Sequence, residues 1–301
     1  MKGIILAGGS GTRLHPLTLA TSKQLLPIGD KPMIYYPLSV LMLADIRDIL
    51  IISTPADLPQ FQRLFGDGSD YGIHLTYREQ PEPNGIAEAL LIGAAHIGDD
   101  PVALVLGDNI YHGPSLYRIL ADARAALDGC VLFGYRVGDP SRYAVGETDS
   151  AGRLLSVEEK PAHPRSNLAL TGLYLYDGTA VDLAKNLRPS ARGELEITDL
   201  NRRYVESGRA HLVNLGRGFA WLDAGTPESL LQAGHYVHTL QERQGIRIAC
   251  IEEIALRMGF ITGAQCHRLG ARIAHSSYGR YVMAVAEELT TAAATAASTA
   301  V

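Results

Sequence analysis

Short apolar, β-branched runs alternate with longer amphipathic ones through the first half of this chain. Lys2–Ala7, Asp48–Ser53, His74–Tyr77, Val102–Leu106 and Val131–Tyr135 read as strands, and Pro32–Ala44, Leu58–Phe65, Ile86–His96 and Ser115–Ala126 carry helical spacing between them. Strands joined by helices pair in parallel. The alternation therefore predicts a Rossmann-like, three-layer α/β fold with a mainly parallel, mixed central sheet and helices on both faces. Such sheets bind ligands at the carboxyl ends of their strands.

After Pro140 the alternation weakens. Tyr143–Thr148 and Leu154–Glu158, separated by Asp149-Ser150-Ala151-Gly152, predict a hairpin. A strand near Leu170–Tyr176, a helix near Thr198–Ser207 and a strand over Ala210–Leu215 follow. From about Thr226 the chain reads as helical, near Pro227–Arg243, Glu252–Met258, Thr262–Leu269 and Tyr278–Leu289. Thr290 to Val301 is almost all Ala, Thr and Ser, and is expected to be disordered or frayed for want of large apolar side chains. The expected division is a core over 1–240, with halves meeting near 135, a helical extension over 241–289 and a tail over 290–301.

The first strand runs into Leu6-Ala7-Gly8-Gly9-Ser10-Gly11-Thr12-Arg13. Glycines at 8, 9 and 11 let the backbone close around a ligand with several N–H groups turned inward. Arg13 lies within the loop, and Lys23 follows in Ser22-Lys23-Gln24-Leu25-Leu26-Pro27. Amides plus two cations make a polyphosphate cradle, whereas a purely structural glycine turn needs neither cation. The loop is not a dinucleotide fingerprint, because Leu14 stands where the third glycine belongs, and no Gly-Lys closes it as a P-loop.

Val102–Leu106 reads as a strand buried on both faces that delivers Asp108 at the same sheet end as the glycine loop. Alone, such an aspartate would most simply cap a turn. Asp223, in Trp221-Leu222-Asp223-Ala224-Gly225-Thr226-Pro227, precedes a threonine–proline helix start. Two carboxylates beside a phosphate cradle fit Mg²⁺, which takes one or two carboxylates and fills its shell with waters and substrate phosphates. Glu158-Glu159-Lys160-Pro161 ends a predicted strand, offering a cation for a phosphate and a carboxylate for hydroxyls.

Charge and composition narrow the partners. A net charge of −5 argues against a nucleic-acid surface. No apolar run is long enough to cross a membrane, and a sequence that enters a strand at once is expected to carry no signal peptide. Cys130, Cys250 and Cys266 have no metal-ligand spacing, so a reduced, cytoplasmic setting is expected.

Together these segments resemble the sugar-1-phosphate nucleotidyltransferases. The resemblance is carried by Gly8-Gly9-Ser10-Gly11-Thr12-Arg13, Lys23-Gln24-Leu25-Leu26-Pro27, Lys31-Pro32-Met33-Ile34, Leu106-Gly107-Asp108-Asn109 and Glu158-Glu159-Lys160-Pro161. Gly193-Glu194-Leu195-Glu196-Ile197-Thr198-Asp199 and Gly216-Arg217-Gly218-Phe219-Ala220-Trp221-Leu222-Asp223 narrow it to the thymidylyltransferase branch, and it runs from Met1 to roughly Leu289. It implies transfer of a thymidylyl group from dTTP to α-D-glucose 1-phosphate, giving dTDP-glucose and pyrophosphate at the head of deoxysugar synthesis. It also implies Mg²⁺, a homotetramer, and feedback by a dTDP-sugar at an interface site near Arg217, Glu252 and Glu253.

Placed on this chain, the resemblance implies that Leu6, Gly8, Gly9, Gly11, Thr12, Arg13, Gln24 and Asp108 hold the nucleotide while Gln80 and Gly85 meet its base. Asp108 and Asp223 would ligate Mg²⁺ and, with Arg13, Lys23 and Lys160, carry the chemistry. Asn109, Tyr143, Ala144, Glu159, Lys160, Thr171, Gly172, Tyr174, Arg192 and Trp221 would surround the sugar phosphate. Three positions depart from the pattern. Ala144 stands where glycine is usual, and Asn84 and Glu88 replace Asp and Gln beside the base. A uridylyl or relaxed-specificity enzyme therefore stays open. The alternative from another class, a non-catalytic nucleotide-sugar sensor, is expected to lack Arg13, Lys23, Asp108 or Asp223, and all four are present.

Overall fold

The computed structural model describes residues 1–9 and 11–299. The chain opens with β1 (Lys2–Ala7), a small hairpin of β2 (Pro27–Ile28) and β3 (Lys31–Pro32), and helix α1 (Tyr35–Leu43). Next come β4 (Asp48–Ser53), α2 (Leu58–Phe65), β5 (His74–Glu79), α3 (Glu88–Ile92), α4 (Ala94–Ile97), β6 (Val102–Leu106), β7 (Asn109–His112) and α5 (Leu116–Ala125). The second half holds β8 (Cys130–Arg136), β9 (Ala144–Thr148), β10 (Leu154–Glu159), β11 (Leu168–Tyr176), α6 (Ala180–Lys185), α7 (Ile197–Glu206), β12 (Ala210–Asn214) and β13 (Ala220–Asp223). Helices α8 (Pro227–Gln244), α9 (Ile251–Arg257), α10 (Gly263–Arg272) and α11 (Ser277–Thr299) complete it.

Nine strands form the central sheet in the order β10-β9-β11-β6-β1-β4-β5, with β8 also on β11 and β12 on β8. The strands joined by helices, β6, β1, β4 and β5, run parallel. The sheet becomes mixed where β11 enters antiparallel to β6, because β9 to β11 arrive through a hairpin. Ile4 and Ile5 show how the layers form, since successive strand side chains face opposite ways. Ile5 belongs to a core cluster shared with residues of α1, α2 and α5 and with Ile251, Cys266 and Val282, whereas Ile4 belongs to one shared with residues of α3, α6 and α7. Both are fully buried, and each contributes about 1.5–3 kcal/mol of transfer free energy.

Two expectations are corrected here. Ile86–His96 is not one helix, because α3 and α4 part at Gly93, where a Cβ would stand 2.7 Å from Ile4 Cδ1. Close approach to the sheet requires glycine there, and glycine weakens the helix. The run from Thr290, expected to be disordered or frayed, continues α11 to Thr299. Alanine has the highest helix propensity, and extending a helix already anchored upstream needs no new nucleus. The hydroxyls of Thr290, Thr291 and Thr295 each donate to the carbonyl four residues back. Ala300 and Val301 lie outside the described residues. Among those described, no helix is long and apolar enough to cross a membrane.

Candidate active site

Strand register brings the glycine loop and Asp108 together. Leu6 of β1 lies opposite Leu106 of β6, and Gly107 N–H donates to the Leu6 carbonyl at 2.9 Å. The two strands thus deliver their following loops side by side. From Asn109 the chain forms a separate ribbon, β7 antiparallel to β13, with Asp223 opposite Asn109. Ala224 N–H donates to the Asp108 carbonyl at 3.0 Å. A carboxylate from far along the chain is thereby fixed beside the strand-end carboxylate.

The cleft at this sheet end encloses about 330 Å³ and is lined by Leu6, Gly8, Gly9, Gly11, Thr12, Arg13, Lys23, Gln80 and Gly85, all singled out in the sequence. Pro83, Ile86, Glu194 and Gly225 also line it. Gly85 has φ +107°, and a Cβ would stand 2.4 Å from the Leu195 carbonyl oxygen, so only glycine fits. Leu195 N–H donates to the Asn84 carbonyl at 2.7 Å and Ala87 N–H to the Leu195 carbonyl at 3.1 Å, which lays the loop before α7 across the cleft. At the other end, a Cβ on Gly225 would stand 3.4 Å from Arg13 Nη2 and 3.6 Å from Asp223 Oδ2. Arg13 therefore belongs to the acidic end of the cleft.

Lys23 Nζ donates to Asp108 Oδ2 at 2.5 Å, and Asn109 Nδ2 to Asp108 Oδ1 at 2.9 Å. Burial favours a neutral Asp108, but the Lys23 charge and these hydrogen bonds outweigh it and hold the carboxyl below its usual range. Asp223 goes the other way. Burial raises its carboxyl and the neighbouring Asp108 charge adds to that, against the stabilising hydrogen bond from Tyr143 Oη at 2.8 Å. The Tyr143 phenol is pushed up to about 12 by burial and by Asp223. Two mutually repelling carboxylates form an all-oxygen donor set with charge to be neutralised, which suits a hard divalent cation of the Mg²⁺ type.

The other half of the site is built on Asn109. Its Oδ1 accepts from Trp221 Nε1 at 2.6 Å and Gly172 N–H at 3.1 Å. This locks β7, β11 and β13 together. Tyr143 lies against the Trp221 indole at 5.0 Å between ring centroids. Ala144 and Glu159 are ladder partners in the β9–β10 hairpin. Glu159 Oε2 accepts from Thr198 Oγ1 at 2.6 Å, and Glu159 Oε1 lies 3.4 Å from Lys160 Nζ. Lys160 has φ +42°, a left-handed conformation that side chains other than glycine rarely adopt. Thr171 and Tyr174 are buried on β11.

A sequence profile of the nucleotidyl transferase family matches residues 2–239. Curated relatives described as glucose-1-phosphate thymidylyltransferase match nearly end to end. That of Xanthomonas campestris pv. campestris is 56% identical over 286 residues, 95% of this chain and 97% of the relative. The Neisseria gonorrhoeae protein is 56% identical over 283 residues (94% and 98%), and the Mycobacterium tuberculosis protein 51% identical over 287 residues (95% and 99%). The chain belongs to the nucleotidyl transferase family, among the glucose-1-phosphate thymidylyltransferases. A Bacillus anthracis crystal structure, described as such an enzyme in complex with a sucrose, superposes with TM-score 0.74 at 39% identity, covering 79% of this chain and 95% of that one. A UDP-glucose pyrophosphorylase complexed with UDP-glucose shares the fold, with TM-score 0.69 at 24% identity over 79% of this chain and 98% of that one.

Three of the residues expected in this nucleotidyl transferase to meet ligands are tied to partners within the chain. Gln24 is buried, accepts from Ser22 Oγ at 2.6 Å, and packs its stem 2.9 Å from where a Cβ on Gly107 would lie. Arg192, exposed, makes three bonds to Glu196, at 2.8, 2.9 and 3.2 Å, and lies 3.3 Å from Glu194, which lines the cleft. Glu252, expected near an interface site, is buried in this chain and accepts from Tyr278 Oη at 2.5 Å. Gly107 and Tyr278, the neighbours of Gln24 and Glu252, are distant in sequence, whereas Glu194 and Glu196 hold Arg192 locally. Glu194, Pro83, Ile86 and Gly225 carried no assigned role, although the segments around 193–199 and 80–85 were already conspicuous as motifs.

Proposed function

We propose that this nucleotidyl transferase joins dTTP and α-D-glucose 1-phosphate to give dTDP-glucose and pyrophosphate. The observation that carries the reading is the pairing of Asp108 with Lys23 and of β7 with β13, which gathers two carboxylates and two cations at the mouth of a glycine-lined cleft. A phosphate monoester has its second pKa near ~6, so at neutral pH the attacking oxygen is largely ionised and no general base is required. That oxygen attacks the α-phosphorus of dTTP in line, forming the new P–O bond as the bond to the β-phosphate breaks and pyrophosphate leaves. Two polyanions must be brought together, and this is where the residues act. Arg13 and Lys23 counter charge on the triphosphate, the backbone amides of Gly8, Gly9 and Gly11 orient it, and Lys160 counters the sugar phosphate. Mg²⁺ on Asp108 and Asp223 would supply further neutralisation and alignment of the phosphates.

The sugar reading rests on the Tyr143, Glu159, Lys160 and Trp221 half of the site, and the base reading on Gln80 and Gly85. A homotetramer with dTDP-sugar feedback and a core ending near residue 240 follow the family pattern. Three free, buried cysteines suit a reducing cytoplasmic setting. Pyrophosphate release with glucose 1-phosphate and Mg²⁺, compared across dTTP, UTP, dCTP and the purine nucleotides, tests the reading. Strong dTTP turnover with formation of dTDP-glucose supports it, and no turnover with any nucleotide overturns it.

A further inference from the structure

Gln80 is buried and yet lines the cleft. Its Nε2 donates to Glu88 Oε2 at 2.7 Å and to the Gly85 carbonyl at 3.3 Å. An ionised carboxylate and a backbone carbonyl can only accept, so both hydrogens of the amide are committed. Reversing the amide would set Oε1 against two acceptors. The orientation of Gln80 is therefore fixed by its partners rather than left to choice. Oε1 points the other way and lies 2.8 Å from where a Cβ on Gly8 would stand, against the glycine loop. Among the described residues nothing donates to it. Glu88 is itself held, because its Oε1 accepts from Asn84 Nδ2 at 2.9 Å.

We propose that Glu88 is a positioning residue for base selection. By fixing the Gln80 amide it presents a permanent hydrogen-bond acceptor on the cleft wall. Such a wall takes a base with an N–H at its pairing edge, as thymine and uracil have at N3, and disfavours cytosine, which presents a lone pair there. The inference rests on the nucleotidyl-transfer reading above. Asn84, unlike the aspartate usual there, can donate or accept, so a glutamine at position 88 could present either end to Gln80, and Gln80 would be free to reverse, opposed only by the longer bond to Gly85.

The test is kcat/KM for dTTP and for dCTP, each with glucose 1-phosphate, in the wild-type chain, Glu88→Gln and Glu88→Ala. Losing a hydrogen bond to a charged group should reduce the dTTP-over-dCTP preference about tenfold. The change should fall on the nucleotide KM, with kcat for dTTP and the KM for glucose 1-phosphate little altered. A folding defect lowers both nucleotides alike and leaves the ratio where it was. Wild-type turnover of dTTP with an unchanged ratio in both variants overturns the role of Glu88 alone. No wild-type turnover with any nucleotide overturns the underlying reading.

Discussion

Lys23 and Lys31 each close an ion pair on an aspartate at 2.5 Å, in surroundings that give the pairs opposite uses. Lys23 meets Asp108 on the wall of an open cleft, where an incoming phosphate or cation can replace either partner. Lys31 reaches Asp30, a turn residue at the surface, from the interior, with its own side chain 2% exposed. Its ammonium lies 5.4 Å from the ring centres of both Tyr36 and Tyr278, and 3.4 Å from Gln241 Oε1. Arg247 holds the other oxygen of Asp30 at 3.1 Å. Burial pulls the Lys31 ammonium below its usual value, and Asp30 only partly offsets that. The second pair fastens the β2–β3 hairpin to α8 and α11, with its ammonium buried away from solvent. A pair open to ligands is a functional one; a pair with a buried cation is structural.

Removing one partner should separate the two most sharply. Lys23→Ala is expected to lower kcat/KM by roughly 10²–10³, the loss typical of a preorganised electrostatic contact, with little change in melting midpoint. Lys31→Met should do the reverse. Breaking a buried pair costs about 3 kcal/mol at the low end, which applies because Arg247 still faces Asp30, and denaturant unfolding should show this while activity per folded molecule is kept. Equal activity losses in the two variants would erase the distinction. Tyr143→Phe removes the hydrogen bond to Asp223 and should raise the KM for glucose 1-phosphate several-fold, with stability unaltered.

The smallest effect is a pH signature of the interior. Burial raises the Glu252 carboxyl above its ordinary 4.5, with the Tyr278 and Cys250 hydrogen bonds and the Lys31 charge opposing. The folded chain then binds that proton more tightly than the unfolded one. The contribution to stability is fully present below pH 4.5 and is lost as pH rises through the raised folded value. Glu252→Gln should therefore gain stability relative to wild type as pH increases across that window, read from melting midpoints at successive pH values. A constant difference would place the carboxyl in water.

Much of the first half was legible because its signals are local. The strands Lys2–Ala7, Asp48–Ser53 and Val102–Leu106 and the helix Leu58–Phe65 occur with the bounds their apolar runs indicate. The glycine loop, Arg13 and Asp108 were legible for the same reason, since each follows closely on a strand end, and Lys23 stood out as a second cation soon after the loop. The β7–β13 ribbon was not. Asn109–His112 is too short to announce itself, and its partner Ala220–Asp223 is distant in sequence, so nothing local tells Asp223 that it will face Asp108 rather than start a helix. The Leu195 loop over Gly85 and the buried turn of Gln24 were hidden likewise, by partners that only the folded chain supplies.

The most direct measurement compares the wild-type chain with Asp223→Asn in dTTP- and glucose 1-phosphate-dependent pyrophosphate release at saturating Mg²⁺. Wild-type release of one pyrophosphate per dTDP-glucose, with a fall of about 10² or more in the variant, is the result expected if the ribbon completes the site. Undiminished turnover in Asp223→Asn would contradict the account.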